Sequence, residues 1–78
     1  MDENTLKERL LEQNAEFRRL HEEHQRHETR LAVLAGKSFL SDEERLEEKD
    51  LKKKKLALKD RMYRIMIEAQ AFPGKSAQ

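Results

Sequence analysis

The segment from Met1 to Ala35 contains neither glycine nor proline, and this feature most constrains the fold. Its apolar residues recur at spacings of three and four, which places them on one face of a helix. Thr5 and Glu8 have the spacing of a capping box, so we predict a first helix from about Thr5 to Ala35. The predicted buried face consists of Leu6, Leu10, Phe17, Leu20, Leu31 and Leu34, with Gln13, His24 and His27 filling the gaps.

A second helix is predicted after a short connector. Gly36 stands where a left-handed C-terminal cap would end the first helix, and residues 36–40 form a connector of ordinary length. Ser41 and Glu44 repeat the capping-box spacing, so the second helix begins near Ser41 and spans about residues 41–72. Its predicted buried face consists of Leu51, Leu58, Met62, Ile65, Ala69 and Phe72, with Lys55 in the same row.

These two helices define the predicted fold class. Long helices joined by a short connector fold back on each other, so residues 5–72 are expected to form an all-α, antiparallel helical hairpin with coiled-coil character. Leu10 then lies opposite Met66. Residues 1–4 are a lead-in, and residues 73–78, which begin with Pro-Gly, are expected to be a disordered tail.

Two runs of residues, one on each predicted helix, carry a family resemblance. They are Phe17-x-x-Leu20-x-x-Glu23-His24 and Leu51-Lys52-Lys53-x-Lys55-Leu56-x-Leu58-Lys59-Asp60, with Leu31, Leu34 and Ser41-Asp42-Glu43-Glu44 between them. Over about Ala15 to Met66 this pattern resembles the YdcH-like family of small bacterial proteins of unknown function. The resemblance implies a helical hairpin and no catalytic activity. The matching positions of unassigned role include Phe17, Glu23, His24, Leu51, Leu58 and Asp60.

Composition excludes several classes of function. The chain has 78 residues, 42% of them charged, and no cysteine, so neither a large enzyme cleft nor a disulfide framework is expected. Its longest apolar run, Leu31 to Ala35, is far shorter than the roughly 18 residues of a membrane span, and the N-terminus has no apolar signal segment. We therefore expect a cytoplasmic protein without a membrane span, a cofactor or catalytic residues. Ser41 is better explained as a helix cap than as a nucleophile.

Three histidines lie three residues apart on the first predicted helix. Imidazoles at positions i and i+3 can share a metal ion, and Glu23 is close by in the sequence. The alternative is that His24 and His27 occupy the buried row and form hydrogen bonds with the second helix. Because the spacing differs from that of zinc-protease helices and lysines lie opposite, we predict a structural role and no metal site.

The second predicted helix contains a basic segment. It could contact phosphates or another anionic surface, but the net charge of the chain is only +1, and consecutive lysines point all round a helix. Tyr63 alone is a poor platform for base stacking. The candidate anion-contacting residues are Lys52, Lys53, Lys54, Lys55, Lys59, Arg61 and Arg64.

Apolar residues also occur away from the predicted buried face. Leu56, Tyr63 and Ile67 fall together on another face of the second helix, and Leu46 lies further round. One partner helix cannot cover both faces, so this row predicts an association surface. We expect a non-catalytic interaction or scaffolding module that self-associates into a helical bundle or binds another helical protein. The alternative is a nucleic-acid or anionic-surface binding protein using the segment from Lys52 to Arg64.

Overall fold

A computed structural model of the chain describes residues 2–71. They form three helices and no strand: α1 (Glu3–Gln13), α2 (Ala15–Ala35) and α3 (Asp42–Ala71). The all-α prediction is confirmed, but the prediction of two helices is wrong because the first one is broken at Asn14. Phe72 and the predicted disordered tail, residues 73–78, lie outside the described residues.

Asn14 separates α1 from α2. Its backbone is extended, with φ −118° and ψ 108°, and its Oδ1 accepts a hydrogen bond from the Phe17 N–H at 2.9 Å. An asparagine side chain competes with the helix for nearby backbone groups, which is why this residue favours helix caps over helix interiors. Apolar periodicity alone did not reveal the break, because the spacing from Leu10 to Phe17 fits a continuous helix.

The start of α1 also differs from the prediction. Asp2 caps the helix, and its Oδ1 accepts a hydrogen bond from the Thr5 N–H at 2.8 Å. The predicted start at Thr5 is therefore two residues late, and Thr5 is not the cap. Aspartate is also an effective capping residue, so the sequence offers two possible starts for this helix, one at Asp2 and one at Thr5.

The connector between α2 and α3 confirms one predicted cap and contradicts the other. Gly36 has φ −81° and ψ −8°, which is right-handed and not the left-handed conformation predicted for it. Hydrogen bonds from Gly36 N–H to the Ala32 and Val33 carbonyls tighten the last turn instead. Ser41 and Glu44 form the predicted capping box, with Ser41 N–H donating to Glu44 Oε1 at 3.0 Å and Glu44 N–H donating to Ser41 Oγ at 3.1 Å.

Most of the predicted apolar positions are buried. All three helices contribute to one core cluster, with Leu11 and Ile65 packed against it. Leu34 is buried outside the cluster, whereas Leu31 and Leu51 are only half-buried. The core cluster consists of Leu6, Leu10, Phe17, Leu20, Leu58, Met62, Met66 and Ala69.

Ion pairs connect α2 to α3 at both ends. Near the start of α2, Glu16 binds Arg61 in the C-terminal half of α3 at 2.7 Å. Near the end of α2, the Arg30 guanidinium binds both carboxylate oxygens of Glu47, in the first turns of α3, at 2.8 and 2.9 Å. The order of these contacts along α3 is therefore the reverse of their order along α2.

Candidate functional site

The most exposed large apolar side chains of α3 are Leu46, Leu56, Tyr63 and Ile67, and we call these four residues the apolar row, although Leu46 lies about 80° further round the helix than Leu56. The exposed fractions are 69% for Leu56, 58% for Tyr63 and 50% for Ile67. Leu46, also 69% exposed, lies on the same helix toward its N-terminal end. The structure thus leaves exposed the four residues that the sequence predicts to be an interface.

The apolar row lies on a different face of α3 from the core residues. At about 100° per residue, Leu56, Tyr63 and Ile67 are displaced by at least about 100° from Leu58 and Met62, which are buried. The helix therefore has a face that packs within the chain and a second apolar face that the chain leaves uncovered. Lys53 and Asp60 lie within the second face and are exposed.

Part of the basic segment is used inside the chain. Arg61 binds Glu16 of α2, Lys55 forms an ion pair with Glu28 of α2, and Lys54 binds Asp50 one turn earlier on α3 at 3.0 Å. The hydrogen bond from Lys55 lowers the pKa of the Glu28 carboxyl below its ordinary value. The remaining candidate bases Lys52, Lys53, Lys59 and Arg64 are exposed. At about 100° per residue they fall within about 140° of the helix circumference, on both sides of the face that carries Leu56, Tyr63 and Ile67.

His24 is half-buried on α2, close to the charges of Lys55 and Lys59 on α3. Its Nε2 is buried and has no hydrogen-bond partner among the described residues. Burial, assisted by the charges of Lys55 and Lys59, lowers the pKa of His24 below its ordinary value despite the opposing effect of Glu28. A buried polar group without a hydrogen-bond partner typically destabilises a folded protein by about 1–3 kcal/mol.

The other two histidines do not complete a metal site with His24. His21 and His27 are half-buried, like His24 itself. No group of three or more His, Cys, Asp or Glu side chains between Asp2 and Ala71 is arranged to hold a metal ion.

A cavity opens where the three helices meet, and we call it the three-helix cavity. It has a volume of about 240 Å³. Phe17, Met62 and Met66 supply apolar walls, and His24 and Lys59 supply polar groups. Residues of α1, among them Glu3, Lys7 and Leu11, complete the wall. Sequence reasoning missed this cavity because it depends on the break at Asn14.

Comparison with known proteins identifies a family. The sequence profile of the family described as "Protein of unknown function (DUF465)" matches residues 17–66, which is more than half of the chain. The chain belongs to this family. Its members are YdcH-like small helical domains of unknown function, so the resemblance seen in the sequence is confirmed. No curated protein and no solved structure matches the chain.

The DUF465 match covers α2 from Phe17 onward and α3 as far as Met66, whereas α1 lies outside the matched residues. Within the match, the family-like positions differ in their surroundings. Phe17 and Leu58 are buried in the core, and Glu23, His24 and Leu51 are half-buried. Asp60 is exposed on the face of α3 that carries the apolar row.

One further property concerns membranes. None of the helices within residues 2–71 has an apolar stretch long enough to cross a bilayer.

Proposed function

We propose that this DUF465 protein is a small, non-catalytic interaction module that associates with a second copy of itself through the apolar row. The observation that carries the proposal is the exposure of Leu56, Tyr63 and Ile67 on the face of α3 that the core does not use. Several exposed apolar side chains on one face of a helix are typical of an association site. Ser41 is assigned a capping role and no residue is assigned a catalytic one.

The module proposed is an antiparallel helical hairpin of α2 and α3 with coiled-coil character. Support comes from the reversed order of the ion pairs Glu16–Arg61 and Arg30–Glu47 along the two helices. Two such hairpins give the four helices of a bundle, the simplest closed arrangement with two-fold symmetry. A chain of this size without disulfides gains little stability from one core, so a second interface stabilises it further.

Two residue pairings within α3 favour a second copy over a different partner. Consider two antiparallel α3 helices related by a two-fold axis that passes between positions 56 and 57. Leu46 then lies opposite Ile67 of the second copy, because the two residues are equally distant from the axis. Lys53 lies opposite Asp60 of the second copy for the same reason. Symmetry repeats each pair, so the interface contains two apolar pairs and two ion pairs, while the same register places Lys49 opposite Arg64 of the second copy.

The proposed interface can be tested by sedimentation equilibrium at tens of micromolar protein. We expect a dimer of the 9.3 kDa chain, and monomers when Leu56 and Ile67 are replaced by Glu. Lys53→Asp places like charges opposite Asp60 and should weaken the dimer, whereas Lys53→Asp combined with Asp60→Lys should restore it. Lys54→Asp, on another face of α3, is the matched control and should leave the dimer intact.

Two results would contradict the proposal. A stable monomer of the unchanged chain at these concentrations would exclude the homodimer. Failure of the charge swap to restore association would exclude the antiparallel pairing of Lys53 with Asp60, even if a dimer formed by other contacts.

The basic segment provides the competing hypothesis, that the chain binds nucleic acid or an anionic surface. The pairing of Arg61 with Glu16 and of Lys55 with Glu28 weighs against it, because these acids neutralise bases that phosphates would need. Exposed ion pairs contribute only about 0–1 kcal/mol each, so Lys53→Gln with Lys54→Gln should leave folding nearly intact. Binding to DNA or RNA that falls steeply with salt and is lost in this variant would make the competing hypothesis the stronger one.

A further inference from the structure

We propose that α3 binds the surface of an anionic phospholipid bilayer, with the helix lying parallel to the membrane plane. The contact is made by the sector of α3 that carries Leu56, Tyr63 and Ile67, which we call the outer face. This sector combines exposed apolar side chains with basic side chains beside them. A bilayer that contains acidic lipids complements both, because its headgroups are anionic and its interior is apolar.

Three apolar side chains run along the middle of the outer face. At about 100° per residue, Tyr63 and Ile67 lie about 20° to either side of Leu56. The three residues extend over about 16 Å of the helix, and each is at least half exposed. A helix that lies on a bilayer inserts such residues at the boundary between headgroups and acyl chains, where tyrosine is enriched.

Basic side chains flank these apolar residues on both sides. Lys52 and Lys59 lie about 40° and 60° to one side of Leu56. Lys53 and Arg64 lie about 60° and 80° to the other side. Long basic side chains can cover apolar surface with their stems while their charged ends remain at the headgroups. Five bases of the outer face are exposed and form no ion pair with another residue of the described range 2–71: Lys49, Lys52, Lys53, Lys59 and Arg64.

The bases that α3 uses in ion pairs lie on its other faces. Lys54, Lys55 and Arg61 each bind an acid and lie at least about 100° from Leu56. Asp60 is the one acid of the outer face between positions 49 and 67. The outer face is therefore basic, although the net charge of the whole chain is only +1.

A bilayer suits the outer face better than nucleic acid does. Phosphates of a duplex would meet the bases, but Leu56 and Ile67 would gain nothing from them, and Tyr63 alone is a poor stacking platform. The internal ion pairs weigh against a broad phosphate-binding surface, whereas this narrow sector keeps its charge. An acidic bilayer complements the apolar and the basic residues together.

This inference goes beyond the self-association proposed above. Both use Leu56, Tyr63 and Ile67, so a bilayer and a second copy exclude each other on any one α3 helix. Lys52 and Lys59 belong to the outer face but have no part in the ion pairs proposed for the dimer. Variants of these two lysines therefore separate the two proposals.

The fluorescence of Tyr63 provides a specific test, because the chain has one tyrosine and no tryptophan. The probe is a vesicle of two parts phosphatidylcholine to one part phosphatidylserine, with brominated acyl chains that quench fluorescence on contact. We expect the full chain to show saturable quenching with these vesicles and much weaker quenching with brominated phosphatidylcholine alone. A dimer shields Tyr63 from water but brings no bromine near it, so it does not produce this signal.

A pair of charge-matched variants tests the role of the outer face. Lys52→Gln with Lys59→Gln should bind the acidic vesicles about 25-fold more weakly, because each base near an anionic surface strengthens binding about fivefold. Lys7→Gln with Lys54→Gln removes the same charge from α1 and from another face of α3, and should bind nearly as the unchanged chain does. All four lysines are exposed, so both variants should keep the helical circular dichroism spectrum. The Lys52 and Lys59 variant should also sediment as the unchanged chain does.

Three results would overturn the proposal. The first is quenching that is absent or no stronger with phosphatidylserine than without it, since the basic residues would then have no role. The second is an equal loss of binding in the two double variants, which would make net charge and not the outer face responsible. The third is tighter binding of a DNA duplex than of the acidic vesicles, lost with Lys52 and Lys59, which would assign the outer face to nucleic acid.

Discussion

The Arg18 side chain binds the Leu11 carbonyl across the break between α1 and α2, with 2.8 Å between Nε and the oxygen. Its second nitrogen donates to the Glu12 carbonyl at 3.0 Å. The last carbonyls of a helix have no N–H donor within that helix, and here the Arg18 side chain of the next helix donates hydrogen bonds to two of them. Asn14 caps the start of α2 and Arg18 caps the end of α1, so the break is stabilised from both sides.

Replacing Asn14 by Ala tests the importance of this break. The substitution removes the acceptor for the Phe17 N–H, and loss of such a cap costs about 0.5–2 kcal/mol. We expect the free energy of unfolding, measured by urea denaturation, to fall by about 1 kcal/mol. Asn14→Asp keeps an acceptor oxygen and should retain most of the stability. A more stable Ala variant would show that α1 and α2 fuse without penalty.

We expect the largest loss of stability from a single substitution in the core. Phe17 is fully buried, and replacing a buried phenylalanine by alanine costs about 3–5 kcal/mol. That range equals the whole stability expected for one small core, so Phe17→Ala should be largely unfolded at 25 °C by far-UV circular dichroism. Phe39→Ala removes the same side chain where it is 86% exposed and should leave the spectrum unchanged. If Phe17→Ala kept its helical spectrum, the Phe17 side chain would not be essential for folding.

The core was predictable because its signal repeats. Several apolar residues recur at helical spacing, so the prediction of a buried face does not depend on any one of them. These residues are Leu6, Leu10, Phe17 and Leu20. The capping box of Ser41 was predictable for a similar reason, since two residues at a fixed spacing define it.

The break and the cavity were not predictable in the same way. A single Asn14 occurs in a segment otherwise rich in helix formers, and its effect on the helix depends on the packing of α1. Arg18 and Arg19 are adjacent, identical in type and both exposed, yet only Arg18 donates a hydrogen bond to the Leu11 carbonyl. The three-helix cavity follows from this packing, so no local pattern indicates it.

The conformation of Gly36 predicts a stabilising substitution. Its φ is −81°, which any residue can adopt, and a side-chain carbon there would lie in ordinary contact with the Val33 and Ala32 carbonyls at 3.6 and 3.7 Å. Alanine reduces the freedom of the unfolded chain, so Gly36→Ala should raise the free energy of unfolding by about 0.4–1 kcal/mol. A fall in the melting temperature of this variant would show that the glycine needs a left-handed conformation in solution.

Glu44 predicts a loss of stability in acid. The ion pair with Lys37, assisted by the Ser41 N–H, lowers the pKa of Glu44 from its ordinary 4.5 to about 2. A lowered carboxyl pKa contributes stability above the pKa of the unfolded chain and loses it as pH falls toward the pKa of the folded chain. The free energy of unfolding should therefore decrease between about pH 4.5 and pH 2.

The variant Glu44→Gln isolates this contribution. Glutamine can still occupy the capping box but does not titrate, so the dependence of stability on pH should be shallower between pH 4.5 and pH 2. Glu43→Gln, an exposed residue in the same turn, is the control and should keep the slope of the unchanged chain. Equal slopes for Glu44→Gln and the unchanged chain would remove Glu44 from the acid response.

His24 predicts a second loss of stability, nearer neutral pH. Burial lowers its pKa below the ordinary 6.5, and the positive charges of Lys55, Lys59 and His21 act in the same direction while Glu28 opposes them. The unfolded chain therefore binds a proton more readily than the folded chain, and stability falls as pH drops from about 7 to about 5. His24→Leu should remove this part of the pH dependence when unfolding is followed by urea denaturation. At pH 7 it should be at least as stable as the unchanged chain, because the unpartnered Nε2 is gone. A melting temperature that rises on acidification of the unchanged chain would contradict the prediction, since it would require His24 to be more readily protonated in the folded state.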